Sequence, residues 1–152
     1  MKFLTTLFLL VITTAAIAEP GIVKKASPYS PKETIDRFEK IVKQKGMGIF
    51  ARINHKANAK KVEMNMNHAE LLIFGNPTIG TRIMKHDPAA GLDLPLRVLA
   101  YTDDDGKTWL IYHDPAELKV HFNVDRCTAI EKVRGAMDKL TDAATTGKAN
   151  KP

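Results

Sequence analysis

The chain has 152 residues, a formal net charge of +6 at pH 7 and one cysteine. This length is enough for one domain with a real core and too short for two ordinary domains. The positive charge favours anionic surfaces or small anions. No basic segment interleaved with aromatic residues occurs, so we expect no nucleic acid partner. A single cysteine excludes an internal disulfide, and we expect Cys127 to be a buried thiol, an intermolecular bridge being the alternative.

The first 18 residues have the pattern of a secretory signal peptide. Lys2 precedes an apolar run, and small residues follow up to Ala18. The run is too short for a bilayer-spanning helix, which needs about 20 apolar residues, so a retained membrane anchor is the weaker interpretation. We therefore predict cleavage near Ala18, no stable membrane anchor, and a periplasmic or secreted mature protein. The predicted domains are a signal peptide (1–18), an irregular arm (19–29), a single α+β domain (30–144) and a flexible tail (145–152).

The first half of the predicted domain is mixed in secondary structure. Ser30, Pro31 and Glu33 form a helix-start signal, with a capping side chain, a first-turn proline and a capping-box glutamate. The apolar residues that follow share one helix face as far as Gly46, which ends the helix. Residues 47–53 alternate in the manner of a strand. A short polar helix is predicted around residues 57–62.

The second half contains a strand, a helix, a hairpin and a long helix. Residues 70–74 form an apolar strand that stops at Gly75, and Asn76 with Pro77 starts a helix. Asp87 opens a turn, after which residues 96–102 and 108–113 are two β-rich runs joined by the sequence Asp-Asp-Asp-Gly, which predicts a hairpin. A capped short helix follows, and apolar residues at helical spacing over 130–140 predict a long final helix.

This element order predicts an α+β fold, with a small antiparallel sheet of about four strands and helices packed on one side. A sheet of this size leaves exposed edges. Pairing across a two-fold axis is a common way to cover them, so we expect a homodimer.

Several motifs together resemble one protein family. They are the run ELLIFGNP at residues 70–77, Gly80-Thr81 with Met84, the run GLDLPLR at 91–97, the Asp-Asp-Gly hairpin and the run YHDP at 112–115. In these motifs the chain resembles the bacterial domain of unknown function 302 family. The resemblance covers nearly all of the mature chain. The resemblance implies a TATA-box-binding-protein-like architecture, often a homodimer, with no established activity. Likeness to the fold of a DNA-binding protein carries no function with it.

Four polar positions match residues that recur in the family pattern: His55, Glu70, Asn76 and Asp93. His113, in contrast, departs from the asparagine expected at its position. A histidine oriented by a carboxylate is the usual proton-transfer pair, so His55 with Glu70 or Asp93 would suit a small hydrolase or isomerase. The alternative is structural, with the carboxylates bonding backbone amides and His55 packing at a strand end. No nucleophile motif accompanies the group, and no catalytic residue is assigned.

The start of the helix after Asn76 is the predicted ligand site. A helix N-terminus presents free N–H groups and a partial positive charge, Gly75 and Gly80 allow close approach, and Arg82 and Lys85 add positive charge. The ligand should therefore be small and anionic or carry a carbonyl group. The alternative is that Asn76 merely caps its own helix. The predicted ligand-binding residues are His55, Glu70, Asn76, Gly80, Thr81 and Asp93.

A period-two series, Met64, Met66, His68 and Glu70, would place soft ligands for Cu(I) on one face of a strand. The alternative is that the methionines fill gaps in the core. The remaining histidines show no zinc spacing, so we expect no metal and no cofactor. The favoured function is an exported, non-enzymatic small-ligand-binding or accessory protein, with the enzyme and the Cu(I) protein as alternatives.

Overall fold

The computed structural model describes residues 20–146. The predicted signal peptide and most of the predicted tail lie outside these residues. Among the helices described, none combines the length and apolar character that a membrane crossing requires.

Five strands form one fully antiparallel sheet in the order β1-β5-β4-β3-β2. The strands are β1 (Ile22–Ser27), β2 (Gly48–Asn54), β3 (Ala69–Gly75), β4 (Leu96–Thr102) and β5 (Thr108–His113). The predicted hairpin is confirmed, since β4 and β5 pair directly and Asp103 accepts hydrogen bonds within the turn that joins them. A β-bulge between Ile49 and Ala51 interrupts the pairing of β2 with β3, and Phe50 is 55% exposed there.

Five α-helices accompany the sheet: α1 (Pro31–Gln44), α2 (His55–Lys61), α3 (Pro77–Met84), α4 (Leu118–His121) and α5 (Ala129–Thr145). Ser30 caps α1 by accepting a hydrogen bond from the Glu33 N–H at 3.2 Å. Asn76 caps α3 in the same way. Both helices therefore begin where their capping residues predict. Two 3₁₀ turns, Pro88–Leu92 and Pro115–Glu117, follow Asp87 and Asp114.

The main core lies between one face of the sheet and the helices α1 and α5. Phe38 of α1 meets Phe74 of β3 edge to face, with ring centroids 4.9 Å apart. A second apolar cluster lies beside this core, around Ile83 of α3 and Ile130 of α5, and it contains the buried thiol of Cys127 as expected. The α+β fold predicted from the sequence is confirmed.

The prediction of an irregular arm over residues 19–29 is wrong. Residues 22–27 form strand β1, which pairs with β5 from Ile22↔His113 to Ser27↔Thr108. The sheet thus has five strands, against about four predicted. Six residues that include adjacent lysines show no clean alternation, and their strand conformation depends on an edge supplied by residues far along the chain. The predicted tail also begins too early, because Thr145 is buried and is the last residue of α5.

Candidate functional site

The predicted site residues do not meet in one place. Glu70 is the second residue of β3 and His55 is the first residue of α2. Asp93 follows the first 3₁₀ turn and lies 3.6 Å from Arg97. Asn76, Gly80 and Thr81 belong to the start and middle of α3. Within residues 20–146, no hydrogen bond or ion pair joins His55 to Glu70 or Asp93. The acid/base group expected from the sequence is not assembled.

Glu70 instead occupies the centre of a polar network on the helix-covered face of the sheet. It is 3% exposed, and its carboxylate accepts hydrogen bonds from Arg52 Nε at 2.9 Å and from Asn54 Nδ2 at 3.2 Å. His68 Nε2 lies 2.8 Å from the same carboxylate. Arg52, Asn54 and Glu70 lie on one face of the sheet. Asn54 of β2 pairs directly with Glu70 of β3, and Arg52 lies two residues from Asn54 on the same strand. The geometry supports a structural role for Glu70.

Arg52 links this carboxylate to helix α1. Its Nη1 donates to Asp36 at 2.6 Å and to Glu39 at 3.1 Å. Partial burial of Arg52 opposes its charged form, but hydrogen bonds to Asp36 and Glu70 outweigh that effect and hold the pKa of the guanidinium above its usual range. One arginine thus joins β2, β3 and α1, a role that spacing along the sequence does not reveal.

The predicted Cu(I) series is not on one strand face. Met64 and Met66 precede β3 in an irregular segment and are 65% and 42% exposed. The imidazole of His68 is already paired with Glu70. Across the described part of the chain, no group of three or more His, Cys, Asp or Glu side chains is arranged to hold a metal ion. The exposure of Met64 and Met66 also contradicts the alternative that these methionines fill core gaps.

A large cavity lies between the two apolar clusters, beside α3 and the first half of α5. Its volume is about 930 Å³, within the range typical of small-molecule sites. Apolar side chains from β3, α3, β4, α4 and α5, and from the segment just before β4, form most of its wall. They are Phe74, Ile79, Ile83, Met84, Leu94, Leu96, Leu118, Ile130, Val133, Met137 and Leu140.

The cavity brings together one half of the predicted site. Asn76, Gly80 and Thr81 line it, whereas His55, Glu70 and Asp93 do not. The amide oxygen of Asn76 accepts hydrogen bonds from the N–H groups of Thr78 and Ile79, so the cap already satisfies two of the free amides of α3. A ligand would therefore be held by the cavity wall more than by the start of the helix. Sequence periodicity did not reveal this site, because its wall residues are also ordinary core-facing positions.

Three further features of the cavity bear on its chemistry. The Cys127 thiol lines the wall and is 3% exposed. Phe50, exposed at the β-bulge, lines another part of the cavity, and both Phe50 and Pro95 lie beside Gly75. The basic side chains on the wall are Lys45, Arg82, Lys85, Arg126 and Lys132, with His86 beside them.

The fold and the site together define a class: an α+β domain with a helix-covered antiparallel sheet and an apolar cavity bordered by cations. The model of the domain of unknown function DUF302 matches residues 23–144. The chain belongs to that family.

Known proteins similar to this chain fall into two groups. A crystal structure of an uncharacterized conserved DUF302 protein from Bacillus stearothermophilus is 19% identical, with a TM-score of 0.67, covering 84% of this chain and 98% of that one. This likeness supports the fold. Proteins named fluoride-specific ion channel FluC 1, from Brucella suis and Brucella abortus, are 44% identical over 104 residues, or 68% of this chain. The chain spans about two fifths of the length of these relatives.

Proposed function

We propose that this protein is an exported, non-enzymatic ligand-binding protein that holds an apolar or amphiphilic small molecule in the cavity between α3 and α5. The observation that carries the proposal is the cavity itself, about 930 Å³ with a mainly apolar wall. The cavity is partly open to solvent, so the exposed part of its apolar wall contacts water when no ligand is bound. An apolar ligand that fills the cavity would remove this surface from water, with a gain in apolar burial.

A fluorescent probe tests this proposal directly. N-phenyl-1-naphthylamine, which is uncharged and apolar, should bind with a saturable rise in fluorescence. Ala136→Trp would put an indole ring into the cavity, because Ala136 lines it, and should weaken binding. Gly135→Trp is the matched control, since Gly135 is the adjacent residue on α5, does not line the cavity, and would carry a Cβ that meets no atom within 4 Å.

Cys127 provides a second, independent measurement. It is the only cysteine of the chain and lines the cavity wall. Bound probe should slow alkylation of this thiol in proportion to occupancy. A probe signal that does not saturate, or that is equal in the Ala136→Trp and Gly135→Trp variants, with unchanged alkylation, would overturn the proposal. If the probe binds as expected, mass spectrometry of molecules that co-purify with the protein would identify a natural ligand.

Export is part of the same proposal. The pattern of residues 1–18 supports it, and the mature protein recovered from cells should begin at Glu19. N-terminal sequencing of the protein from the periplasmic or secreted fraction provides the measurement. Recovery of the uncleaved chain from the cytoplasm would contradict it.

A homodimer through the uncovered sheet face is also proposed. On that face, register places Ile53, Leu71, Ile73, Leu99 and Ile111 together across four strands, each partly exposed. A second copy would remove this apolar stripe from water around a two-fold axis. Light scattering at micromolar concentration with Cys127 reduced should give a dimer mass, and Leu71→Lys should give a monomer with an unchanged circular dichroism spectrum. A monomer mass for the wild type would refute the dimer.

A second candidate function is that of an accessory domain for a membrane transport protein. The FluC matches favour it, because a segment similar to this chain makes up part of proteins named as fluoride-specific ion channels. Deletion of the gene should raise the sensitivity of cells to fluoride, and the protein should co-purify with a fluoride channel of the same cells. Unchanged sensitivity together with no co-purification would exclude this role.

A further inference from the structure

We infer that the cavity ligand is a single-chain amphiphile with an anionic head group, such as a fatty carboxylate. This inference rests on the proposed function and adds the chemical class of the ligand. It is carried by the charge of the cavity rim together with the apolar character of the wall. Each of these two features selects one end of the ligand.

The charged side chains at the rim are all basic. Five basic side chains contribute to the cavity, from the end of α1 (Lys45), from α3 and its C-terminal cap (Arg82, Lys85) and from the start of α5 with its preceding loop (Arg126, Lys132). All five are exposed residues. No aspartate or glutamate within residues 20–146 lines the cavity. Three separate elements thus supply positive charge around one apolar opening.

These cations are also available to a ligand. Eleven ion pairs occur among residues 20–146, and none involves Lys45, Arg82, Lys85, Arg126 or Lys132. Lysines elsewhere on the surface, such as Lys32 and Lys43 of α1, do pair with carboxylates. A carboxylate at the rim would therefore form charge-assisted hydrogen bonds without first displacing an internal partner.

The wall selects the other end of the ligand. Behind the cations, the surface is built from aliphatic side chains, the ring of Phe74 and the thiol of Cys127. A small polar anion such as phosphate would leave this wall unfilled, whereas a hydrocarbon chain would bury it. Exposed Phe50 extends the apolar surface outward at the β-bulge. The combination fits a hydrocarbon chain inside and an anionic head at the rim.

Displacement of N-phenyl-1-naphthylamine by matched C12 compounds tests this inference. Dodecanoate, dodecan-1-ol and dodecylammonium share the same chain. The two ionic compounds are used below their critical micelle concentrations, and dodecan-1-ol is used below its solubility limit. We expect dodecanoate to bind about tenfold more tightly than dodecan-1-ol, a difference of ~1.4 kcal/mol. Dodecylammonium should bind most weakly. Added salt should weaken dodecanoate binding and leave dodecan-1-ol binding unchanged, because screening acts on charges alone.

Charge-neutral variants locate the effect. The double variants Arg82→Gln/Lys85→Gln and Arg126→Gln/Lys132→Gln should each weaken dodecanoate binding severalfold without changing dodecan-1-ol binding. The control is Lys60→Gln/Lys61→Gln on α2, which removes the same charge from residues that do not line the cavity. An equal effect of the control would show that overall charge, and not the rim, attracts the anion, and would overturn the inference.

The remaining outcomes separate the two proposals. Equal binding of dodecanoate and dodecan-1-ol would overturn the anionic class and leave the apolar binding function intact. Preference for dodecylammonium would do the same. Displacement of the probe by inorganic phosphate alone would show that the hydrocarbon chain is dispensable and would refute the amphiphile. Absence of probe binding and of Cys127 protection would overturn the proposed function itself.

Discussion

Replacing Arg52 by methionine should destabilise the protein strongly, because it removes the charge that balances buried Glu70. Arg52→Met leaves the carboxylate with His68 and Asn54 as its remaining partners. Breaking a buried ion pair by removing one partner typically costs about 3–5 kcal/mol. The Arg52 side chain is 28% exposed, and two partners of Glu70 remain, so we expect the low end of this range, about 3 kcal/mol.

The assay is urea unfolding followed by circular dichroism. With a denaturant slope of about 2 kcal/mol per molar, a loss of about 3 kcal/mol lowers the midpoint by about 1.5 M. The double variant Arg52→Met/Glu70→Met should recover most of the loss, since replacing both members of a buried pair by apolar residues is often close to neutral. Arg134→Met is the control for an exposed pair and should cost less than about 1 kcal/mol, because Arg134 is 56% exposed in its ion pair with Asp114.

Two results would refute this reasoning. A loss below about 1 kcal/mol in Arg52→Met would show that Glu70 is not a buried charge that needs Arg52. A double variant as unstable as the single one would show that packing of the arginine side chain, and not charge balance, dominates. Bound N-phenyl-1-naphthylamine should be retained by the double variant, since neither residue lines the cavity.

Three further predictions concern stability. Asn76→Ala should cost about 1 kcal/mol by removing the cap of α3, and Asn76→Asp should keep the cap; thermal unfolding of both variants provides the measurement. Gly135→Ala should stabilise α5 by about 0.5–1 kcal/mol, because an added Cβ meets no atom within 4 Å; an unchanged or lower melting temperature would contradict this. Hydrogen bonding and charge from Lys25, 2.6 Å away, hold the pKa of the Asp138 carboxyl below its usual range. A lowered carboxyl pKa gives stability that is present above the unfolded value of about 4 and is lost as pH falls through the folded value. Lys25→Met should therefore lose less stability than the wild type on acidification, in urea titrations at pH 7 and pH 3.

The local elements of this fold are largely contained in short stretches of sequence. The cap of α1 needs Ser30 and the N–H of Glu33, three residues away, and the cap of α3 needs Asn76 and its next three residues. The β4–β5 hairpin depends on two alternating runs and a turn between them. Interactions of this kind are decided by neighbours along the chain, so periodicity and turn chemistry are enough to predict them.

The candidate site was likewise predictable in part from local sequence and in part only from the tertiary structure. Asn76, Gly80 and Thr81 were predicted as neighbours of a ligand from the helix start, and they do line the cavity. His55, Glu70 and Asp93 were predicted to border the same site from the family pattern, and they do not line the cavity. The cavity wall was not predictable from the sequence, because Leu94, Cys127 and Met137 have the pattern of ordinary core residues there. Only their packing in the structure shows a gap between them.

Tertiary structure alone decided the partners of Glu70, the strand β1 and the cavity. Arg52 meets Glu70 across 18 residues, and Ile22 pairs with His113 across more than 90. Such contacts depend on the summed packing of many distant residues, and no short segment carries that information. The sequence by itself determined the helix starts, the hairpin and the α+β class, since those follow from hydrogen bonds and apolar periodicity within a few turns of chain.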